Sequence, residues 1–244
     1  MSLFRKNTAP AAVPATAGQG PAISFDKVPT GLVSLAKTAA VSLEKKGLTG
    51  QRAAVYLVLD HSGSMLPFYR DGSMQRLAEQ ALGLSVNLDD DGQVPLIYFG
   101  SLVSQQPDAR LDNYQGVIGR THTAVSWGST NYAAAIDYVC DLHRGNPNPG
   151  LVIFQTDGEP DSRPAAEDAL RDASKQTLHF AFVGFGNNIR FLEKLDGLRG
   201  RAVDNASFFH ARDPHRVTDE QLYDGITHEY ADWLAAAKAA GILR

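Results

Sequence analysis

The sequence predicts an α/β fold: a doubly wound, mostly parallel central sheet flanked by helices, with an N-terminal helical extension. Three observations carry this expectation. Residues 53–59 and 151–154 are near-continuous apolar runs, the pattern of strands buried on both faces beneath covering helices. Each run leads to an aspartate, Asp60 and Asp157, and then to small polar residues. Elsewhere, strand-length apolar runs alternate with stretches of helical period, the order that repeated βα units produce.

The elements follow in chain order. Residues 1–20 are rich in Ala, Pro, Thr and Gly and lack the apolar core of a signal peptide, so they read as a disordered tail. Residues 21–49 form the extension. Its helix spans 30–46, with Leu32, Leu35, Ala36, Ala39, Val41 and Leu43 as its apolar stripe and Gly47 ending it. This helix is expected to cover the main domain, residues 50–240, and to carry no chemistry. Residues 66–73 read as a loop and 74–89 as a helix with Leu77, Ala81, Leu84, Val86 and Leu88 mostly on one side. Residues 87–92 open like a calcium-binding EF-hand loop. The twelfth position is Tyr98, where that loop needs a bidentate Glu, and a strand (94–99) follows instead of a helix. The three aspartates 89–91 therefore read as a solvated turn. Residues 101–110 suggest a short edge strand and turn, and 113–120 a helix. A helix over 130–143 is broken by the Gly- and Pro-rich 145–150. Then come a helix (164–176), a strand (178–185), a helix (189–198), a strand (206–210) and one long final helix (219–240). Gly184-x-Gly186 lacks the third glycine and the acidic residue of a dinucleotide site.

The chain has 244 residues, 43% hydrophobic and 20% charged, with a net charge of −4. That balance is ordinary for a globular protein and gives no electrostatic footprint for nucleic acid or an anionic membrane. No apolar run approaches the ~20 residues of a transmembrane segment. The single Cys140 excludes an intrachain disulfide and suits a reducing compartment, so a cytoplasmic location is expected. Cys140 lies in a helical pattern with Ala134, Ile136 and Val139 and reads as a packed core thiol.

Ligands of open α/β sheets bind at the carboxyl ends of the strands. There the chain reads Asp60-His61-Ser62-Gly63-Ser64. One carboxylate and two hydroxyls at alternate positions can aim their oxygens at one point, and Gly63 permits a tight turn between them. Oxygen-only ligands favour a hard cation, Mg²⁺, Ca²⁺ or Mn²⁺. The remaining ligands must come from other loops, and Gly128-Ser129-Thr130-Asn131 and Thr156-Asp157-Gly158 supply candidates. An isolated Asp-x-Ser-x-Ser is commonly only an Asx- or Ser-turn, and Thr130 is also a favoured type for capping the helix that follows. Strand context and the three stretches together point to metal.

The set Asp60, Ser62, Ser64, Thr130 and Asp157 resembles the metal-ion-dependent adhesion site (MIDAS) of von Willebrand factor A (vWA) domains: Asp-x-Ser-x-Ser, a distant Thr, a distant Asp. The resemblance implies the Rossmann-like vWA fold and these five residues as metal site, with Mg²⁺ as the ion and Ca²⁺ or Mn²⁺ as alternatives. Residues 62–65 with 69–75, then 191–196 with 200–206, and 219–223 through Trp233 and Leu234, are similar to the vWA proteins of bacterial tellurium-resistance and chemical-stress clusters. This likeness spans roughly residues 23–235.

With Asp60 and Asp157 as the charged ligands, a divalent cation leaves the site near neutrality. One open position can then take an acidic side chain from a partner. The resemblance accordingly implies a metal-dependent protein-binding module of bacterial tellurium resistance and stress response, not an enzyme. Its partner is a protein supplying a carboxylate, other tellurium-resistance or stress proteins being candidates. The rival is a Mg²⁺-dependent phosphohydrolase or phosphotransferase, with His61 or Glu159 as base. Against it, Ser62 stands where an aspartyl phosphatase has its second Asp, and no Gly-x-Ser-x-Gly elbow occurs. His122, His143, His179, His210, His215 and His228 show no paired metal-ligand spacing and read as surface or satisfied histidines.

Overall fold

The computed structural model describes residues 20–244, so the expected tail, apart from Gly20, lies outside the described residues. Six strands, β1 (Ala54–Asp60), β2 (Gln93–Phe99), β3 (Val103–Arg110), β4 (Gly150–Thr156), β5 (Leu178–Phe185) and β6 (Ala206–Ala211), form one sheet in the order β3-β2-β1-β4-β5-β6. All run parallel except β3, which pairs antiparallel to β2 at the edge. β1, β4 and β5 are buried at every position, as their predominantly apolar sequences require, whereas β3 is largely solvent-facing. After β1 the chain steps outward to β2 and β3, then returns to β4 on the other side of β1. The strand order therefore reverses between β1 and β4, and their carboxyl ends border the crevice where open α/β sheets bind ligands.

Helices cover both faces: α1 (Thr30–Lys45), α2 (Leu66–Arg70), α3 (Ser73–Leu88), α4 (Val117–Thr121), α5 (Tyr132–His143), α6 (Arg163–Ala173), α7 (Arg190–Asp196), α8 (Asp219–Thr227) and α9 (Tyr230–Ala239). One core sets α1, α3, α8 and α9 against Val55, Leu57, Leu59, Leu151, Ile153 and Val183. The other sets α5, α6 and α7 against Tyr56, Val58, Val152, Phe154, Phe180 and Phe182. Cys140 is buried in the second core, and burial pushes its thiol up to about 12.

α1 docks through Leu32, Ala36, Ala39 and Leu43 of the expected stripe, with Leu35 half-buried beside them, whereas Val41, also expected there, is 49% exposed because the docked face runs through Ser42 and Leu43 instead. The segment before it is tied down as well: Ile23 N–H donates to Val86 O at 2.9 Å, and the Asn87 amide reaches back to Ala36 O at 2.9 Å. α3 passes α1 and α8 at Gly83, where an added Cβ would lie 2.7 Å from Leu35 Cβ and 3.0 Å from the Tyr223 hydroxyl. Gly83→Ala is therefore expected to destabilise by about 1–3 kcal/mol through overpacking, although alanine is the better helix former by roughly 1 kcal/mol. Urea unfolding checks this, and a stabilised variant would show that the α1–α3 contact yields freely.

Four further expectations need correction. The loop at 66–73 is mostly helical, because Pro67 sits in the first turn of α2 and Asp71 ends it while accepting from Ser73 N–H to open α3. The helix expected at 113–120 is delayed to α4 by left-handed Gly116. The long final helix is two, α8 and α9. The Thr227 hydroxyl takes the Tyr223 carbonyl at 2.7 Å, a contact that bends helices, and the His228 ring takes the Gly225 carbonyl. His179 is not satisfied at both nitrogens: Nε2 lies 3.1 Å from Ser207 Oγ, but Nδ1 has no partner among the described residues.

Burial, helped by the nearby His228 and Arg201 charges, holds the His179 imidazole down at about 3. Folded His179 thus stays neutral, while in the unfolded chain it takes up a proton as pH falls through its ordinary value of 6.5. Stability is present above 6.5 and is lost as pH falls toward 3. The loss is about 2 kcal/mol between pH 6.5 and 5 at roughly 1.4 kcal/mol per pH unit. Over that window His179→Gln is expected to lose about 2 kcal/mol less than the parent in urea titrations; identical losses would contradict it.

Candidate metal centre

Asp60 ends β1 with its carboxylate fully buried. Oδ1 accepts the Ser62 N–H at 2.8 Å and Oδ2 accepts the Thr156 hydroxyl at 2.6 Å. The Tyr69 hydroxyl donates to Asp60 O at 2.9 Å and anchors the strand end. Thr156 is held in turn: the Tyr132 hydroxyl stands between Thr156 Oγ1, at 2.9 Å, and the Gly158 carbonyl, at 2.5 Å. Beyond the strand, Ser62 Oγ lies 3.2 Å from Ser64 Oγ, and the Ser64 hydroxyl donates to Asp157 Oδ1 at 2.9 Å. Asp60, Ser62 and Ser64 are thus joined to Asp157, distant in sequence, at the adjacent carboxyl ends of β1 and β4.

Thr130 reaches the same region on another loop. Gly128 bridges Ser62 in parallel register, and its N–H donates to His61 O at 3.2 Å. Only glycine fits there, since a Cβ on Gly128 would lie 2.4 Å from Ser101 N. Asp161 then clasps the loop. Its Oδ1 accepts Thr130 N–H at 3.0 Å, its Oδ2 accepts the Ser129 hydroxyl at 2.6 Å, and its own N–H donates to Thr130 O at 2.9 Å. The cap of α5 is Asn131, whose side chain accepts from Ala134 N–H at 3.2 Å. The helix-capping role open to Thr130 on sequence grounds is therefore filled by its neighbour.

The electrostatics suit a cation. Burial pushes the Asp60 carboxyl up to about 6, and the nearby Asp157 adds to the shift. Burial likewise raises Asp157. No lysine or arginine forms an ion pair with either among the described residues. Two partly or fully desolvated carboxylates with two hydroxyls between them form an oxygen-only donor set, which fits a hard divalent ion. Among the described residues no group of three or more His, Cys, Asp or Glu converges as a zinc-type site would.

The sequence assigns no role in the site to Thr156, Asp161 or Tyr69. Thr156 carries a weak signal, because it directly precedes Asp157. Tyr69 stands in a stretch that carries the family resemblance, but neither its role nor that of Asp161 is legible there, since both depend on which loops meet. The two candidate bases are engaged elsewhere. Glu159 pairs with Arg163 at 2.8 Å. His61 is buried, with Nδ1 3.3 Å from Ser126 O, Nε2 3.4 Å from His122 Nδ1, and its ring stacked on Trp127.

Comparison with known proteins places the fold. The family model vWA-TerF-like, described as the vWA found in the TerF C terminus, matches residues 52–243. The uncharacterized protein YcbR of Bacillus subtilis (strain 168) is 31% identical over 216 residues, covering 85% of this chain and 88% of YcbR. Manganese-loaded TRAP of Plasmodium vivax aligns with a TM-score of 0.51 at 20% identity, over 72% of each chain. Proximal thread matrix protein 1 from the mussel byssus, solved with a zinc-occupied MIDAS motif, aligns with a TM-score of 0.50 at 14% identity. The alignment covers 73% of this chain and 46% of the mussel protein, so the chain spans about half of that protein's length. At these identities both likenesses speak to the fold.

Proposed function

Because the chain belongs to the vWA-TerF-like family, we propose that it is a metal-dependent protein-binding module whose metal site is Asp60, Ser62, Ser64, Thr130 and Asp157. The observation that supports this reading is the buried Asp60 carboxylate, linked through the Ser62 backbone N–H and the Ser62 and Ser64 hydroxyls to Asp157 and lacking a cationic partner among the described residues. Mg²⁺ is the ion we assign on the oxygen donors, while two structural relatives carry manganese and zinc. When bound, the ion supplies a Lewis-acidic position for a carboxylate oxygen of a partner protein. The chain's own residues do the rest. Thr156 and Ser62 orient Asp60, Tyr69 anchors the strand end, and Asp161 presents Thr130. The TerF relationship makes tellurium resistance and stress response the context we favour, with proteins of that response as candidate partners. Among the described residues no helix is long and apolar enough to cross a membrane. The single, buried Cys140 supports a cytoplasmic setting.

We favour a non-catalytic role. One further constellation, Ser73, His215 and Asp71, has the composition of a hydrolase triad. Ser73 Oγ and Asp71 Oδ2 both address His215 Nε2, at 3.2 and 3.3 Å. A relay needs the two partners on opposite ring nitrogens, so this cluster is a helix-start clasp. An aryl phosphate incubated with Mg²⁺ and the protein should show no turnover; turnover abolished by Asp60→Asn would favour the phosphohydrolase reading.

Thr130 tests the outer part of the site. Thr130→Ala removes a neutral oxygen that water can replace, and Asn131 still caps α5. Mg²⁺ affinity should fall about tenfold, the low end for substitutions around a metal and less than a charged ligand's loss, with the melting temperature unchanged. Thr130→Ser should match the parent. Calorimetric titration showing parental affinity in Thr130→Ala would remove Thr130 from the site.

A further inference from the structure

Two exposed apolar side chains stand on the loops that rim this centre. Leu102, in the turn between β2 and β3, is 82% exposed, and Trp127, just before Gly128, is 41% exposed. Their loops are pinned together. A Cβ on Gly100 would lie 3.2 Å from Gly128 Cα, Asn131 N–H donates to Gly100 O at 3.1 Å, and Ser129 N–H donates to Ser101 Oγ at 3.0 Å. The Trp127 indole is itself held in place. It stacks on the His61 imidazole at 3.8 Å and 11°, and Tyr69 meets it edge-on at 5.4 Å and 90°. His61 is fixed beneath it by Ser126 O and His122. A pre-ordered, partly exposed indole loses little entropy when covered, which is the character of an interface anchor.

The charges beside this rim are acidic: Asp60, Asp157, Glu159 and Asp161, of which only Glu159 has an arginine, Arg163, paired with it. An approaching carboxylate is repelled unless a cation compensates. An apolar residue approaching alone would cover Trp127 but leave the polar centre beside it unmatched.

We propose that the occupant of this rim is an exposed partner segment in which an acidic residue is flanked by a large apolar one. The carboxylate meets the cation and the apolar side chain covers Trp127 and Leu102. This rests on the metal-site reading above and adds to it a specificity that the five metal residues do not supply.

Trp127 also reports on the test, since the only other tryptophan, Trp233, is 2% exposed. The probes are capped peptides centred on Leu-Asp-Leu, Gly-Asp-Gly and Leu-Asn-Leu, added to the full chain with Mg²⁺ or EDTA. The expected result is a blue-shifted tryptophan emission with Leu-Asp-Leu in Mg²⁺ only, and calorimetric affinity about tenfold above that of Gly-Asp-Gly. Trp127→Ala should erase that preference while Mg²⁺ affinity and circular dichroism stay at parental values, and Trp127→Phe should restore most of it. Equal affinity for the two Asp peptides, or binding of neither, by protein that still takes up Mg²⁺ overturns the rim inference and leaves the metal reading standing. Absence of Mg²⁺ uptake overturns the metal reading and this one with it. Peptide binding that survives EDTA, or a Trp127-dependent dimer in sedimentation, assigns the rim to a different occupant and overturns the inference.

Discussion

Asp60→Asn is expected to abolish Mg²⁺ binding while stabilising the metal-free protein. Substitutions in the outer shell of metal sites already cost ten- to a hundredfold in affinity, so loss of the buried, charged ligand should cost about a hundredfold or more. The opposite sign on stability follows from burial. Asp60 has its carboxyl raised from 3.8 to about 6, so folding at neutral pH desolvates a charge at a cost of roughly 3 kcal/mol. A raised folded value means that stability is greatest below the unfolded value and is lost as pH rises through about 6; the asparagine variant escapes that loss. Asparagine keeps one acceptor for the Ser62 N–H but mismatches the Thr156 hydroxyl, at about 1 kcal/mol. The net gain in EDTA is therefore about 2 kcal/mol. In Mg²⁺ the order reverses, because only the parent gains from ligand binding. Urea unfolding in the two buffers checks both halves, and parental Mg²⁺ affinity in Asp60→Asn would end the metal-site reading. Asp157→Ala should weaken Mg²⁺ similarly with the fold intact, since Asp157 lies just beyond the buried strand.

Removing residues 1–47 is expected to prevent stable folding, whereas removing residues 1–19 should leave the melting temperature unchanged. The shorter deletion removes a segment whose composition offers little apolar surface. The longer one strips α1 and the strap before it from α3 and α8, losing Ile23, Val28, Leu32, Ala36, Ala39 and Leu43 from the core. At about 1.5–3 kcal/mol for each of the four large side chains, the loss is roughly 6–12 kcal/mol, as large as the whole stability of a typical domain. The Asn87 amide also loses its Ala36 acceptor. Leu32→Ala provides a milder version at about 3 kcal/mol. Equal melting temperatures for the two truncations would show that α1 is dispensable. The family match begins only at residue 52, so the dependence concerns a helix outside the matched region.

Much of this architecture was legible in the chain. Near-continuous apolar runs announced β1 and β4, because a strand covered on both faces has little polar side to show; β5 was legible as a strand despite its buried His179. The stripe of α1 announced its docked face, because helical period is local. The pattern of Asp60, Ser62, Ser64, Thr130 and Asp157 could be read as a set, since its short-range part lies within five residues and the rest stand at strand or helix ends. Boundaries were less legible. α8 and α9 share one apolar period, and the break between them comes from side chains capturing carbonyls, a choice that periodicity does not register.

What only the tertiary structure decided is which of these ends meet. The sheet order puts β4 beside β1, so Thr156 can donate to a carboxylate 96 positions earlier in sequence. The close approach of Gly100 and Gly128 carries the Thr130 loop to Ser62, Asp161 clasps it from the following loop, and His61 holds Trp127 at the rim. None of these contacts leaves a local trace. Hydrophobic period and turn chemistry act over a few residues, whereas strand order and loop apposition are set by burying both faces of the sheet at once.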